Sequence, residues 1–138
     1  MIIEKFKPFE LINKQEGSTQ FLWCPLRKKW LVYTPEEWVR QQWIAFFLHQ
    51  NYPVGWMIAE YAFKYVNKKT IRIDLALLNA SQQVELLAEF KNANYVFQTS
   101  DLEQLLRYAK ILQPRFLLLS NFEQTYWYEV SQKTWQVI

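Results

Sequence analysis

The sequence predicts a mixed α/β domain, a single mixed sheet with helices, in the order hairpin, helix, three strands, helix, strand, hairpin. Three observations point there. Helical segments open with capping signals at Thr34 and Ser100. Strand-patterned segments fill the stretch between them. A nearly all-apolar run, Arg115-Phe-Leu-Leu-Leu119, follows the second helix, as expected of an interior strand. The 138 residues suit one domain with a sizeable core.

Residues 1–33 read as an irregular start and a hairpin. Phe21-Leu-Trp23 and Trp30-Leu-Val-Tyr33 are its strands, and Pro25, Arg27, Lys28 and Lys29 make its turn. The core is expected over 34–122. Thr34 caps the first helix, Pro35 suits its first position, Glu37 sits where a capping box wants its acid, and Tyr33 and Trp38 are spaced as a hydrophobic staple. Asn51-Tyr-Pro53 stops this helix. Trp56 to Tyr65 reads as a strand, although Met57 to Lys64 also fits a helix. Strands 71–78 and 84–91 follow, joined by 79–83, with Ile71, Ile73, Leu75 and Leu77 expected on one face. The second helix starts at Ser100 with Glu103 as box partner, and Pro114 ends it. Tyr126–Val130 and Thr134–Ile138 form a closing hairpin within 123–138. Three consecutive strands should pair antiparallel, and the strand after the second helix can pair in parallel by a crossover.

Composition excludes several classes. Hydrophobic residues make up 51%, with seven Trp, eight Tyr and ten Phe, which rules out a disordered chain. So many rings exceed what the core needs, and some are expected to line an exposed groove. The formal charge of +3 is a mild bias compatible with nucleic acid. Cys24 is alone, so no intramolecular disulfide forms, which suits a reducing, cytoplasmic compartment. No signal-peptide core and no membrane-length apolar run is present. With Gly17 and Gly55 the only glycines, a phosphate-cradling Gly-rich loop is excluded.

The chemistry lies on the strands. Asp74 falls within 71–78, while Glu89 and Lys91 project together from 84–91, and a hairpin through 79–83 brings Asp74 near the Glu89 end. Two carboxylates with oxygen donors suit Mg2+ or Mn2+, which would lower the pKa of a bound water and offset charge on a scissile phosphate. Lys91 would orient that water or stabilise the transition state, and Glu60 is a candidate third acid. The spacing alone is weak. At about 6% usage for each residue, a Glu-x-Lys arises by chance in about every second chain of this length. Asp74 also reads as a strand-end residue facing solvent. Gln104 and Tyr108 lie one helical turn apart on a shared face, which is equally ordinary surface polarity. His49, the only histidine, reads as a surface or helix-end residue. Arg40 follows Glu36 by four residues and reads as a helix ion pair. The turn Arg27-Lys28-Lys29 and the pair Lys68-Lys69 are either phosphate contacts or solvated charge.

Taken together, Arg72-Ile-Asp74, Glu89-Phe-Lys91 and Gln104-Leu-Leu-Arg-Tyr108 resemble the PD-(D/E)XK nuclease superfamily, with the Gln-x-x-x-Tyr element of its RecB-like and type I restriction members. Pro25-Leu-Arg-Lys-Lys-Trp30, Thr34-Pro-Glu-Glu-Trp-Val-Arg-Gln41, Tyr52-Pro53 and Glu60 are similar to the N-terminal nuclease domain of type I restriction R subunits. The resemblance runs from about residue 21 to about residue 122 and implies a restriction-endonuclease-like αβββαβ core. It implies Asp74 and Glu89 as ligands of Mg2+ (or Mn2+), Lys91 as the catalytic lysine and Glu60 as an auxiliary acid. It also implies Gln104, Tyr108 and Arg72 as substrate-binding groups, and DNA and restriction-modification subunits as partners. A metal-dependent endonuclease is the function so implied, the alternative being a binding or assembly module inactive without a motor subunit. The chain departs from the family in having Glu89-Phe-Lys-Asn-Ala93 for Glu-Cys-Lys-Ala-Pro, and Ser120-Asn-Phe122 for Thr-Asn-Gly.

Overall fold

A computed structural model describes residues 1–138. Strands β1 (Asn13–Glu16), β2 (Thr19–Cys24) and β3 (Lys29–Val32) form an antiparallel three-stranded sheet. The expected hairpin is therefore β2–β3, extended by β1. Helix α1 (Pro35–His49) follows, then β4 (Met57–Lys64), β5 (Thr70–Leu78), β6 (Val84–Phe90), α2 (Thr99–Leu112), β7 (Phe116–Ser120), β8 (Thr125–Glu129) and β9 (Thr134–Val137). The last six strands form one sheet in sequential order, antiparallel throughout except for the parallel β6–β7 pair that α2 bridges. No helix is long and apolar enough to cross a membrane.

The six-stranded sheet is packed on both faces. Trp43, Ile44 and Phe47 of α1 meet Leu75, Leu77, Leu86, Ala88 and Leu118 on one side. Leu105, Tyr108 and Ala109 of α2 meet Ile73, Ala76, Leu87 and Leu117 on the other. The central strands thus bury both faces, which is why they read as apolar runs rather than clean alternations. Ahead of the sheets, the first residues are tied down. Phe6 stacks on Phe46 and meets Trp43 edge-on. The buried Gln42 amide accepts from the Phe9 N–H at 2.7 Å and donates to the Phe9 carbonyl at 2.9 Å.

Three local expectations are corrected. Ile71 and Ile73 pack with α2, whereas Leu75 and Leu77 pack with α1, so the side-chain alternation reverses at Asp74. Opposite it on β4, Glu60 takes a left-handed backbone (φ 55°) within a strand, where non-glycine residues are rare. The second helix begins one residue before Ser100. Asp101, not Glu103, accepts the N–H of the cap residue Gln98 at 2.9 Å, because the Tyr95 hydroxyl already holds that carboxylate in place at 2.9 Å. At α1 the Thr34 hydroxyl accepts the Glu37 N–H at 3.0 Å as expected, but the Glu37 carboxylate turns inward instead of back to the cap.

Candidate active site

The end of β5 and the end of β6 are joined by a reciprocal pair of hydrogen bonds through acidic side chains. The Phe90 N–H donates to Asp74 Oδ2 at 2.7 Å, and the Asp74 N–H donates to Glu89 Oε1 at 3.2 Å. Each carboxylate thereby satisfies a backbone donor left over where the strand ladder ends at Leu75–Ala88. The reversal at Asp74 is what turns both acids toward one another. Burial, followed by the repulsion of the Asp74 charge, pushes Glu89 up to about 8. Burial likewise raises Asp74, opposed by the Phe90 hydrogen bond and the charge of Arg40.

Lys91 lies one residue past β6, its N–H donating to the Ser120 carbonyl at 3.0 Å and its ammonium 5.1 Å from the Tyr95 ring centre. From there its charge favours the ionised form of Glu89. Gln104 and Tyr108 do share a face of α2. The exposed Gln104 amide donates to the Tyr108 hydroxyl at 2.8 Å, and the Tyr108 ring is buried edge-on against Phe63 and Tyr65. Arg72 is exposed on β5, paired with Ala62 of β4 and two residues from Asp74.

Arg40 and Glu37 are the site residues that sequence reasoning assigned elsewhere. Arg40 does not pair with Glu36. Its guanidinium is buried and forks onto Glu37, through Nε to Oε2 at 3.0 Å and through Nη2 to Oε1. Nη1 donates to Glu60 Oε1 at 2.7 Å and to the Asp74 carbonyl at 3.3 Å. Burial alone would lower the pKa of Arg40, but the hydrogen bonds it donates to Glu37 and Glu60 more than offset it and hold the guanidinium firmly charged. The available signal was the position of Glu37 three residues before Arg40, on the same helix face. Thr34, Glu36, Glu37, Arg40, Glu60 and Asp74 line a polar cavity of about 170 Å³. A larger groove of about 910 Å³ runs between α2 and β8 but contains none of these residues.

The donor set fits a hard divalent ion at Asp74 and Glu89 and fits it less well elsewhere. Asp74 Oδ1 and Glu89 Oε2 accept no hydrogen bond from the rest of the chain, and the two acids repel one another when ionised. Glu60 is engaged by Arg40, and no three metal-ligating side chains gather at one point. The expected third acid is therefore occupied by a cation the chain itself supplies.

Residues 35–138 match the family model of the type I restriction enzyme R protein N terminus. No curated protein matches the chain. Among solved structures, the fold is similar to a chain in a cryo-EM structure of a DrdV–DNA complex, with a TM-score of 0.50 and 14% identity. The similarity covers 75% of this chain and 10% of that one, so this chain spans about a tenth of the length of the relative it matches.

Proposed function

Since the chain belongs to the family of type I restriction enzyme R protein N termini, we propose that it is a metal-dependent DNA endonuclease module of the PD-(D/E)XK type. The observation that carries this reading is the Asp74–Glu89 pair, two half-buried acids locked together by backbone hydrogen bonds and each keeping one oxygen free. Lys91 beside them and a cryo-EM neighbour that is a DNA complex support it further.

On this reading Asp74 and Glu89 hold Mg2+ or Mn2+, which when bound supplies an acidified water and neutralises phosphate charge. The residues of the chain do the rest. Phe90 N–H and Asp74 N–H fix the orientation of the two carboxylates, so their free oxygens are preorganised rather than recruited. Lys91 positions the attacking water and offsets charge on the phosphorane. The water oxygen bonds phosphorus in line as the P–O3′ bond breaks, the attacking water giving up a proton to solvent and O3′ taking one from solvent, leaving a 5′-phosphate and a 3′-hydroxyl. Tyr108, whose hydroxyl accepts from Gln104, keeps its own proton to donate to a phosphate oxygen. Arg40 holds Glu60 and the Asp74 carbonyl, which keeps the β4–β5 junction in the geometry the pair requires.

A second reading is a DNA-binding or assembly module of a restriction-modification system, without turnover of its own. The Arg40 guanidinium among Glu37, Glu60 and the Asp74 carbonyl favours it, because that cavity already contains its cation. Supercoiled plasmid incubated with purified protein and Mg2+ or Mn2+ separates the two. A nuclease nicks it, and Asp74→Ala or Lys91→Ala abolishes nicking. Nicking that persists unchanged in both variants sinks the assignment of these residues. Calorimetric titration with Mn2+ gives the second test, since the binding module takes up DNA with no dependence on the ion.

A further inference from the structure

We propose that the sheet β1–β3 is a platform on which unpaired nucleic-acid bases stack, a second contact surface apart from the Asp74–Glu89 pair. The proposal rests on the reading of the chain as a DNA-acting module. It lies outside the family-matched stretch, which starts at residue 35.

Strand alternation divides this sheet into two faces. Cys24 and Leu31 turn inward to the core under α1, and Leu22, on the same face, is buried. Phe21, Trp23, Trp30 and Val32 share the opposite face, and none of the three rings joins either hydrophobic core. Trp23 and Trp30 are register partners with ring centres 5.3 Å apart, edge to face. From the neighbouring strand, the Lys14 ammonium sits 4.7 Å from the Trp30 ring centre and 5.5 Å from that of Phe21. Large rings outside a core lose rather than gain by exposure to water, so a chain that keeps three together on one face has a use for them.

Charge selects the occupant. Residues 1–33 hold six of the 16 basic residues and three of the 13 acidic ones, a net +3, which is the entire formal charge of the chain. The other 105 residues balance at ten against ten. Within the three strands Glu16 is the only acid, and it is paired with Lys14 at 2.7 Å. Arg27 and Lys28 stand exposed at the turn that leads into Trp30, while Lys29, the register partner of Cys24, falls on the other face. Cations bordering half-buried rings match a polyanion that carries π-faces. Duplex DNA hides those faces in its own stack, whereas an unpaired strand presents them. At its far end β3 stops at Val32, two residues before the Thr34 that lines the acidic cavity. A strand lying on the rings therefore has a continuous route along the chain to the candidate active site.

The test uses the whole chain without divalent metal and a fluorescein-labelled 20-nucleotide single strand and its duplex, read by anisotropy. We expect tighter binding of the single strand, weakened about tenfold by Trp30→Ala. The double variant Arg27→Glu with Lys28→Glu should weaken it at least as much and flatten its salt dependence. Circular dichroism and melting temperature should stay at wild-type values, because these positions contribute to neither core. Wild-type single-strand affinity in both variants overturns the platform, as does a preference for the duplex. Self-association that disappears in Trp30→Ala also overturns it, by marking the face as a contact between copies. Plasmid nicking with Mn2+ keeps the two readings apart. Nicking without single-strand preference refutes the platform alone, whereas Trp30-dependent binding without nicking supports the platform and refutes the cutting site.

Discussion

Glu89→Gln should make the metal-free protein more stable at pH 8 and leave it unchanged at pH 4.5. The glutamine keeps the oxygen that accepts the Asp74 N–H but cannot ionise. Below pH 4.5 the Glu89 carboxyl is protonated in both the folded and the unfolded chain, and between pH 4.5 and about 8 only the unfolded chain releases its proton. The unfolded state therefore binds fewer protons across that window, and stability falls as pH rises through it. Each tenfold change in proton affinity is worth about 1.4 kcal/mol, so the displacement from 4.5 to about 8 costs the wild-type fold on the order of 5 kcal/mol. At about 3 °C per kcal/mol for a domain of this size, the variant should melt about 15 °C above wild type at pH 8. Urea and thermal melts at pH 5, 6.5 and 8 measure it, with the difference between the two proteins cancelling the titration of all other groups. Adding Mn2+ at pH 8 should raise the melting point of wild type and not of the variant. Parallel pH profiles for the two proteins would show that Glu89 ionises freely in the fold and would refute the repulsion argument.

Further outcomes follow from other contacts. Arg40→Ala should destabilise the fold by about 3–5 kcal/mol in chemical denaturation, because it leaves the largely buried Glu37 carboxylate with no cation and only the Gln41 amide at 3.0 Å, and Arg40→Lys should recover only part of this by losing the fork. Tyr108→Phe keeps the ring against Phe63 and Tyr65, so stability should shift by less than about 1.5 kcal/mol while plasmid nicking falls. Phe122→Gly removes a left-handed strain (φ 78°) of about 1 kcal/mol but also a ring set edge-on to Trp38 and Phe6 and worth about 2 kcal/mol or more. Melting of that variant should accordingly show net destabilisation.

Elements governed by local chemistry were legible in the chain. Thr34 and Pro35 placed the start of α1, Pro114 the end of α2, and the runs around Asp74, Glu89 and Leu117 the central strands with their antiparallel and parallel pairings. Features that depend on a distant partner were not. Strict alternation from Ile71 to Leu77 fails because Glu60, across the sheet, adopts a backbone that no pattern of side chains announces. The box at Ser100 and Glu103 loses to Asp101 because the Tyr95 hydroxyl, six residues upstream, is within reach of that carboxylate. Arg40 read as half of an exposed helix pair because its second acid lies 20 residues away on β4. The strand β1 escaped notice because Asn13–Glu16 is all polar and is held by pairing with β2 rather than by burial.

Strand β4 is an outer strand of the six-stranded sheet, so one row of its backbone donors and acceptors faces no neighbour. An open border of that kind is a template onto which the strand of another molecule can add. The left-handed turn of the chain at Glu60 interrupts the row near its middle, and Arg40 fixes the interruption in place. The residue that brings an acid to the polar cavity thus also keeps this border from serving as a seed for aggregation.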